Sequence, residues 1–279
     1  MDDVTGGRRR AAPFGDGVRA TSAPGRPTAQ SEHLARRVLS GRSALHGPSP
    51  EPWHRDVQGG AARAAVFGIS DGLVSNVSLI LGFAGATPQP GVVRLAGIAG
   101  LIAGACSMAA GEYVSMRAQT ELFERELSIE AAQITEDPDG ERRQLVEIFT
   151  ARGIEPETAH ELSRELSASP ELALETHARE ELGINPGSLG SPWSAAWSSF
   201  VSFVVGALVP LVPWFFLGGT GAIIWSVVLG AVAALLIGVT LARFTGRSAL
   251  RSALRQLLIA VVAGAVTYGV GALLGVSVE

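Results

Sequence analysis

Apolar residues in this chain come in blocks. Five stretches of about 20 residues, the length that crosses a hydrocarbon core of roughly 30 Å, lie near residues 63–86, 92–116, 194–217, 222–243 and 256–276. Each predicts a transmembrane helix. Over 117–192 the pattern turns polar, and apolar residues return only at helical spacing, as at Leu145, Ile148 and Phe149 and again at Ala159, Leu162 and Leu166. Turn and cap residues divide this segment at Asp137-Pro138-Asp139-Gly140, Gly153, Pro156, Ser169-Pro170 and Gly183. Three or four helices follow from that punctuation, the first running on from the second span without a breaker. The fold class is therefore an all-α integral membrane protein with a helical domain inserted between spans two and three. Pro210 and Pro213 predict a kink in span three, because proline removes backbone donors.

Residues 1–55 are rich in Gly, Pro, Ser, Ala and Arg without a sustained apolar period, which predicts a disordered tail. A weak amphipathic turn around Leu34, Val38 and Leu39 is expected to touch the membrane surface. Arg8, Arg9 and Arg10 do not open a signal peptide, since 11–30 supplies no apolar region. Nor does the tail carry the interleaved aromatics of a nucleic-acid binder. The expected layout is a tail at 1–55, spans one and two at 61–116, an acidic cytoplasmic domain at 117–192, and spans three to five at 193–279.

Charge adds an orientation. All 22 basic residues are arginine, and short cytoplasmic loops carry the excess of such residues. The tail is basic, and the loop after span four is expected to hold Arg243, Arg247, Arg251 and Arg255. Loops 87–91 and 218–221 carry none, with Arg94 just beyond the first a mild exception. The N-terminus and the 117–192 domain are thus expected inside and the C-terminus outside, in a bilayer read as the plasma membrane of a bacterium. Cys106 is the lone cysteine and excludes an internal disulfide.

The polar residues inside the oily blocks carry the candidate chemistry. An ionisable residue at membrane depth is costly and by default functional. Asp71 is such a residue, and Asp71, Ser75, Ser78 and Gly82 recur at spacings of three and four, with Asn76 expected to face elsewhere. On span two, Gly100, Gly104, Met108, Glu112 and Met116 fall four apart on one line. Thioethers with carboxylates suit a borderline cation such as ferrous iron better than magnesium or calcium. Asp71, Ser75, Met108, Glu112 and Met116 are the candidate transport path. Gly97, Gly100, Gly104, Gly264, Gly269, Gly271 and Gly275 mark surfaces where helices approach, either within a subunit or between two.

In the acidic domain, Glu126 and Glu130 share a helix face with Gln133 near the same line. His177 lies near Glu180 and Glu181, so a mixed oxygen and nitrogen metal site is available there. Glu157 and His160 form one Glu-x-x-His, the spacing of di-iron helices, but no second copy accompanies it. An iron-oxidising enzyme is accordingly disfavoured.

The segment Phe67-Gly68-Ile69-Ser70-Asp71-Gly72-Leu73-Val74-Ser75-Asn76, followed by Ala103-Gly104-Ala105-Cys106-Ser107-Met108-Ala109-Ala110-Gly111-Glu112-Tyr113-Val114-Ser115, resembles the vacuolar iron transporter family. The resemblance extends from about residue 61 to the C-terminus. It implies a homodimer of five-helix subunits that exchanges cytosolic Fe2+, sometimes Mn2+, for protons, with a cytoplasmic helical domain that collects metal. Carried over by position, the path aspartate and methionine fall on Asp71 and Met108, and the collecting glutamates on Glu130, Glu141 and Glu181. This chain departs from plant members at Gly100, where they have a glutamate, and at Gln133 and Gln144, where they have carboxylates. A methionine pair is replaced around His177 and Ala178, and Glu112 is positioned to supply some of the missing charge. The alternative reading is a non-transporting membrane protein whose acidic domain senses metal or docks a partner.

Overall fold

The computed structural model describes residues 27–39, 60–185 and 190–275. Ten helices run through them: α1 Ala29–Leu39, α2 Gly60–Ala86, α3 Pro90–Glu136, α4 Pro138–Ala151, α5 Pro156–Leu166, α6 Pro170–Glu180, α7 Pro192–Leu211, α8 Pro213–Phe216, α9 Gly219–Thr245 and α10 Ala249–Gly275. No strand occurs among the described residues. Five of the helices, α2, α3, α7, α9 and α10, are long and apolar enough to cross a membrane. The chain divides into two compact units, one of residues 1–45 and 124–184 and the other of 46–123 and 185–279.

The larger unit holds the apolar helices. Large side chains such as Leu95, Ile102, Leu236, Leu258 and Leu273 stand outward and exposed, an arrangement that suits lipid, where backbone groups must be satisfied within each helix. Its core is built on α2, which packs on α7, α9 and α10. Leu73, Val77 and Leu81 of α2 meet Ala234, Ile237 and Ala260, while Ile80 and Ala84 meet Val93, Leu211 and Trp214. Backbone-to-backbone approach between α2 and α7 depends on missing side chains. A methyl group on Gly72 would overlap the Phe203 carbonyl, and one on Gly206 would overlap that of Ile69.

The other glycines read as helix-approach surfaces are also taken up within the chain. Side chains at Gly97, Gly100 and Gly104 would run into Leu211, Leu79 and Phe203, and those at Gly271 and Gly275 into the backbone of Gly82 and Ala86. Gly264 faces Leu81 and Val77, and Gly269 alone in this set has open space around it. Close packing inside one subunit accounts for all of them except Gly269.

Span three stops earlier than expected. Pro210 and Pro213 lack the donors that would serve the carbonyls four residues before them, so α7 ends at Leu211 and Pro213 opens the single turn α8. Ser226 Oγ donates to the Pro210 carbonyl at 2.7 Å, satisfying it from α9. Span five starts earlier than expected. Its helix begins at Ala249, which places Arg251 and Arg255 on α10 and Arg243 on α9, with Arg247 alone in the connection.

The smaller unit contains the acidic helices. Asp137 caps α4 by accepting from Gly140 N–H at 2.9 Å, and Ser169 caps α6 by accepting from Leu172 N–H at 3.2 Å. Leu145 and Phe149 of α4 pack on Ala159 of α5. Within the tail, where a disordered segment was expected, residues 29–39 form α1, whose Ala35 and Val38 are buried, and α1 packs on α6. Apolar residues at spacings of three and four, too few to predict a stable isolated helix, suffice once a partner helix receives them. Leu34 is half-buried and Arg37 pairs with Glu171 at 3.0 Å, so this turn binds protein. The remaining tail positions lie outside the described residues.

Candidate metal sites

In the larger unit, Asp71, Ser75 and Asn76 of α2 and Ser107 and Met108 of α3 line one open cleft, bounded by Gly100 and Phe203. Asp71 and Ser75 are one turn apart, and the Ser75 hydroxyl donates to Asp71 Oδ1 at 2.9 Å. A carboxylate and a thioether from two helices thus line the same cleft. Asn76 belongs to it too, contrary to the expectation that it faces elsewhere, because the cleft covers more of α2 than a single i, i+4 line.

The other path candidates are placed differently. Glu112 is paired with Arg63 at 3.0 Å and is not among the cleft residues. Met116 is buried with Ala64 and Ala195, its sulfur against Gly60, and fills an apolar core. Gly82, at the end of the α2 stripe, packs against Thr267 of α10.

The smaller unit assembles a second group. Glu130 of α3, Glu141 of α4 and His177 of α6 each offer a ligand atom within 4.8 Å of the others, the one such group of His, Cys, Asp or Glu among the described residues. The α4 cap turns the chain so that Glu141 returns to α3. His177 lies in a run, Ala173 to Ala178, that is buried at every position. Its Nδ1 faces Glu130 Oε1 at 3.0 Å, Glu181 Oε2 at 3.1 Å and Glu141 Oε2 at 3.9 Å.

One imidazole proton cannot serve three carboxylates. Glu181 takes the hydrogen bond, and the buried Glu130 Oε1 and Glu141 Oε2 have no partner. Buried polar atoms are ordinarily satisfied. A divalent cation would satisfy both oxygens, with His177 Nδ1 as a third donor once it exchanges its bond to Glu181 for the metal, and the mixed donor set fits a transition ion better than a hard one.

Burial, followed by the charge of Glu181, pushes the Glu130 carboxyl up to about 7. Burial raises Glu141 as well, with Glu181 adding to it against His177. For His177 burial acts downward, but the Glu181 hydrogen bond and the surrounding carboxylates outweigh it and raise the imidazole. In all three the folded protein keeps a proton that the unfolded chain has already released. Stability without metal should therefore fall as pH rises from about 5 to above 7. A thermal midpoint higher at pH 6 than at pH 8, recovered at pH 8 by added Mn2+, is the expected result. A midpoint that rises with pH in the metal-free protein would contradict it.

Several sequence candidates stand outside this group. Glu126 pairs with Arg125 at 2.6 Å, while Gln133 and Gln144 are half-buried on α3 and α4. Glu180 binds Arg152, which also donates to the Glu180 carbonyl at 2.7 Å. Glu157 and His160 are exposed on α5 and gather no other ligand. Asn76 was set aside from the sequence as facing elsewhere and Ser107 was not singled out, although amide and hydroxyl side chains at mid-span were the available signal.

Membrane-length helices around a carboxylate and thioether cleft, and a unit with a buried carboxylate and imidazole group, define a multi-pass membrane protein in which side chains capable of holding a metal occur in both units. Residues 62–272 match the VIT family, and the chain belongs to it. It is 31% identical over 233 residues to vacuolar iron transporter 1 of Oryza sativa subsp. japonica, covering 83% of this chain and 92% of that protein. It is 34% identical over 254 residues to the vacuolar iron transporter of Acanthamoeba castellanii, covering 88% and 89%. With vacuolar iron transporter 1 of Eucalyptus grandis the identity is 32% over 212 residues, covering 76% and 85%.

Proposed function

We propose that this protein is a secondary transporter that exports divalent transition metal, Fe2+ foremost and Mn2+ as a second substrate, from the cytoplasm in exchange for protons. The observation that carries this is the cleft among apolar helices that Asp71 and Met108, far apart in sequence, both line. Iron as substrate is supported by the names of the relatives. Proton exchange follows from competition: a cation and a proton use the same carboxylate oxygens, so metal entry displaces the proton.

Glu130, Glu141, His177 and Glu181 collect metal in the acidic domain under this reading. The N-terminus and that domain are cytoplasmic, in a cell membrane, as the arginine distribution suggests. A homodimer is part of the proposal. Ser75 and Ser107 leave one flank of the cleft exposed, and a second copy against it would complete a path.

The deciding experiment is metal flux through purified full-length protein in vesicles with an imposed pH gradient. Fe2+ movement coupled to opposite proton movement is the expected result, and metal flux with no proton flux would remove the coupling. The buried Glu130 and His177 group equally suits a sensor. Saturable metal binding by the full chain without any flux would favour that alternative.

A further inference from the structure

Asn76 is about 2% exposed, the most completely buried polar side chain on the cleft. Its amide nitrogen donates to the Ala207 carbonyl of α7 at 2.6 Å. That bond fixes the orientation of the amide, because the flipped form would set two acceptor oxygens against each other. Oδ1 is left without a partner. Leaving such an oxygen unpaired is costly, and few native polar groups are left so.

Its surroundings suggest what pairs with it. Asn76 shares the cleft with Asp71, Ser75 and Met108. Position 100 has no side chain, and a Cβ built there would lie 3.4 Å from Asn76 Oδ1 with Leu79 beside it. Gly100 therefore leaves space next to the oxygen, and what fills that space at closest range is the flexible end of Leu79.

We propose that Asn76 Oδ1 is a third donor to the transported cation, a neutral oxygen that joins the Asp71 carboxylate and the Met108 thioether after Leu79 rotates aside. This rests on the transport reading above. An amide oxygen is a hard donor, so it raises the preference of the cleft for oxygen-seeking ions over soft ones that the thioether alone would favour. It carries no proton at working pH, so it strengthens binding without adding a proton to exchange.

The test compares Mn2+ and Cd2+ flux through wild type, Asn76→Leu and Asn76→Asp in vesicles. Asn76→Leu should raise the KM for Mn2+ roughly tenfold, a typical cost of a lost supporting interaction at a metal site, with a smaller change for Cd2+. Asn76→Asp keeps an oxygen donor and loses the bond to Ala207, so it should retain the Mn2+ preference. If the two variants lose both ions equally, the role is packing alone and the proposal falls. Should neither variant fold, Leu79→Ala decides: it leaves the Ala207 bond in place and should lower the Mn2+ KM, and an unchanged value overturns the idea. Absence of flux in the wild type would instead overturn the transport reading itself.

Discussion

Asp71→Ala and Met108→Leu are each expected to bring metal flux in vesicles down to background while leaving the protein folded. Asp71 is the one cleft residue that can hold either a proton or a cation, and its single hydrogen-bond partner is Ser75 on the same helix. No hydrogen bond between helices is lost with it. Leucine keeps the volume of Met108 at a cost below about 1.5 kcal/mol and removes only the sulfur. Met116→Leu is the matched control, since Met116 fills a core with Ala64 and Ala195. Normal flux through Asp71→Ala, or equal loss in both methionine variants, would mean that the cleft is not the path.

Gly72→Ala is expected to yield little folded protein. The added methyl would strike the Phe203 carbonyl, with the carbonyl carbon and Cα of Phe203 both 2.9 Å away. Backbone cannot rotate aside as a flexible side chain does, so α2 must part from α7. Overpacking typically costs about 1–3 kcal/mol and sometimes more, and a backbone obstruction belongs at the upper end. Net stabilities are only about 5–15 kcal/mol, and Asp71 is the adjacent residue, so even a folded remnant should have a displaced cleft. Gly111→Ala, where nothing stands within 4 Å, should be neutral or stabilise by up to about 1 kcal/mol through helix propensity. Equal thermal midpoints for the two variants in detergent would refute the α2–α7 contact.

The helices were legible from local pattern because membrane spans and amphipathic segments each announce themselves over 10–20 residues. Ser169 marked its cap because a cap depends only on residues three or four away, whereas Asp137 was read as part of the turn that ends α3 and also caps α4. The end of span three was not legible: two prolines predicted a kink, and whether a helix bends or stops depends on what satisfies the carbonyls at its end, here that of Pro210, which accepts from Ser226 of another helix. The same limit applies to the sites. A line of residues four apart put Met108 and Met116 in equivalent positions, yet one borders the cleft and the other fills a core. Helix periodicity gives a face but not what lies opposite it. His177 was placed among acidic neighbours on its own helix, whereas two of the three carboxylates that meet it come from α3 and α4.

The short helix α1 also bears on where the chain is cut. Its composition invites removal of everything before the first span as dispensable, yet Ala35 and Val38 are buried and α1 packs on α6, the helix that carries His177. A chain shortened to begin near residue 56 would present that side of α6 to water. Any weakening of metal binding it showed would then report a lost cover, even with every ligand still present.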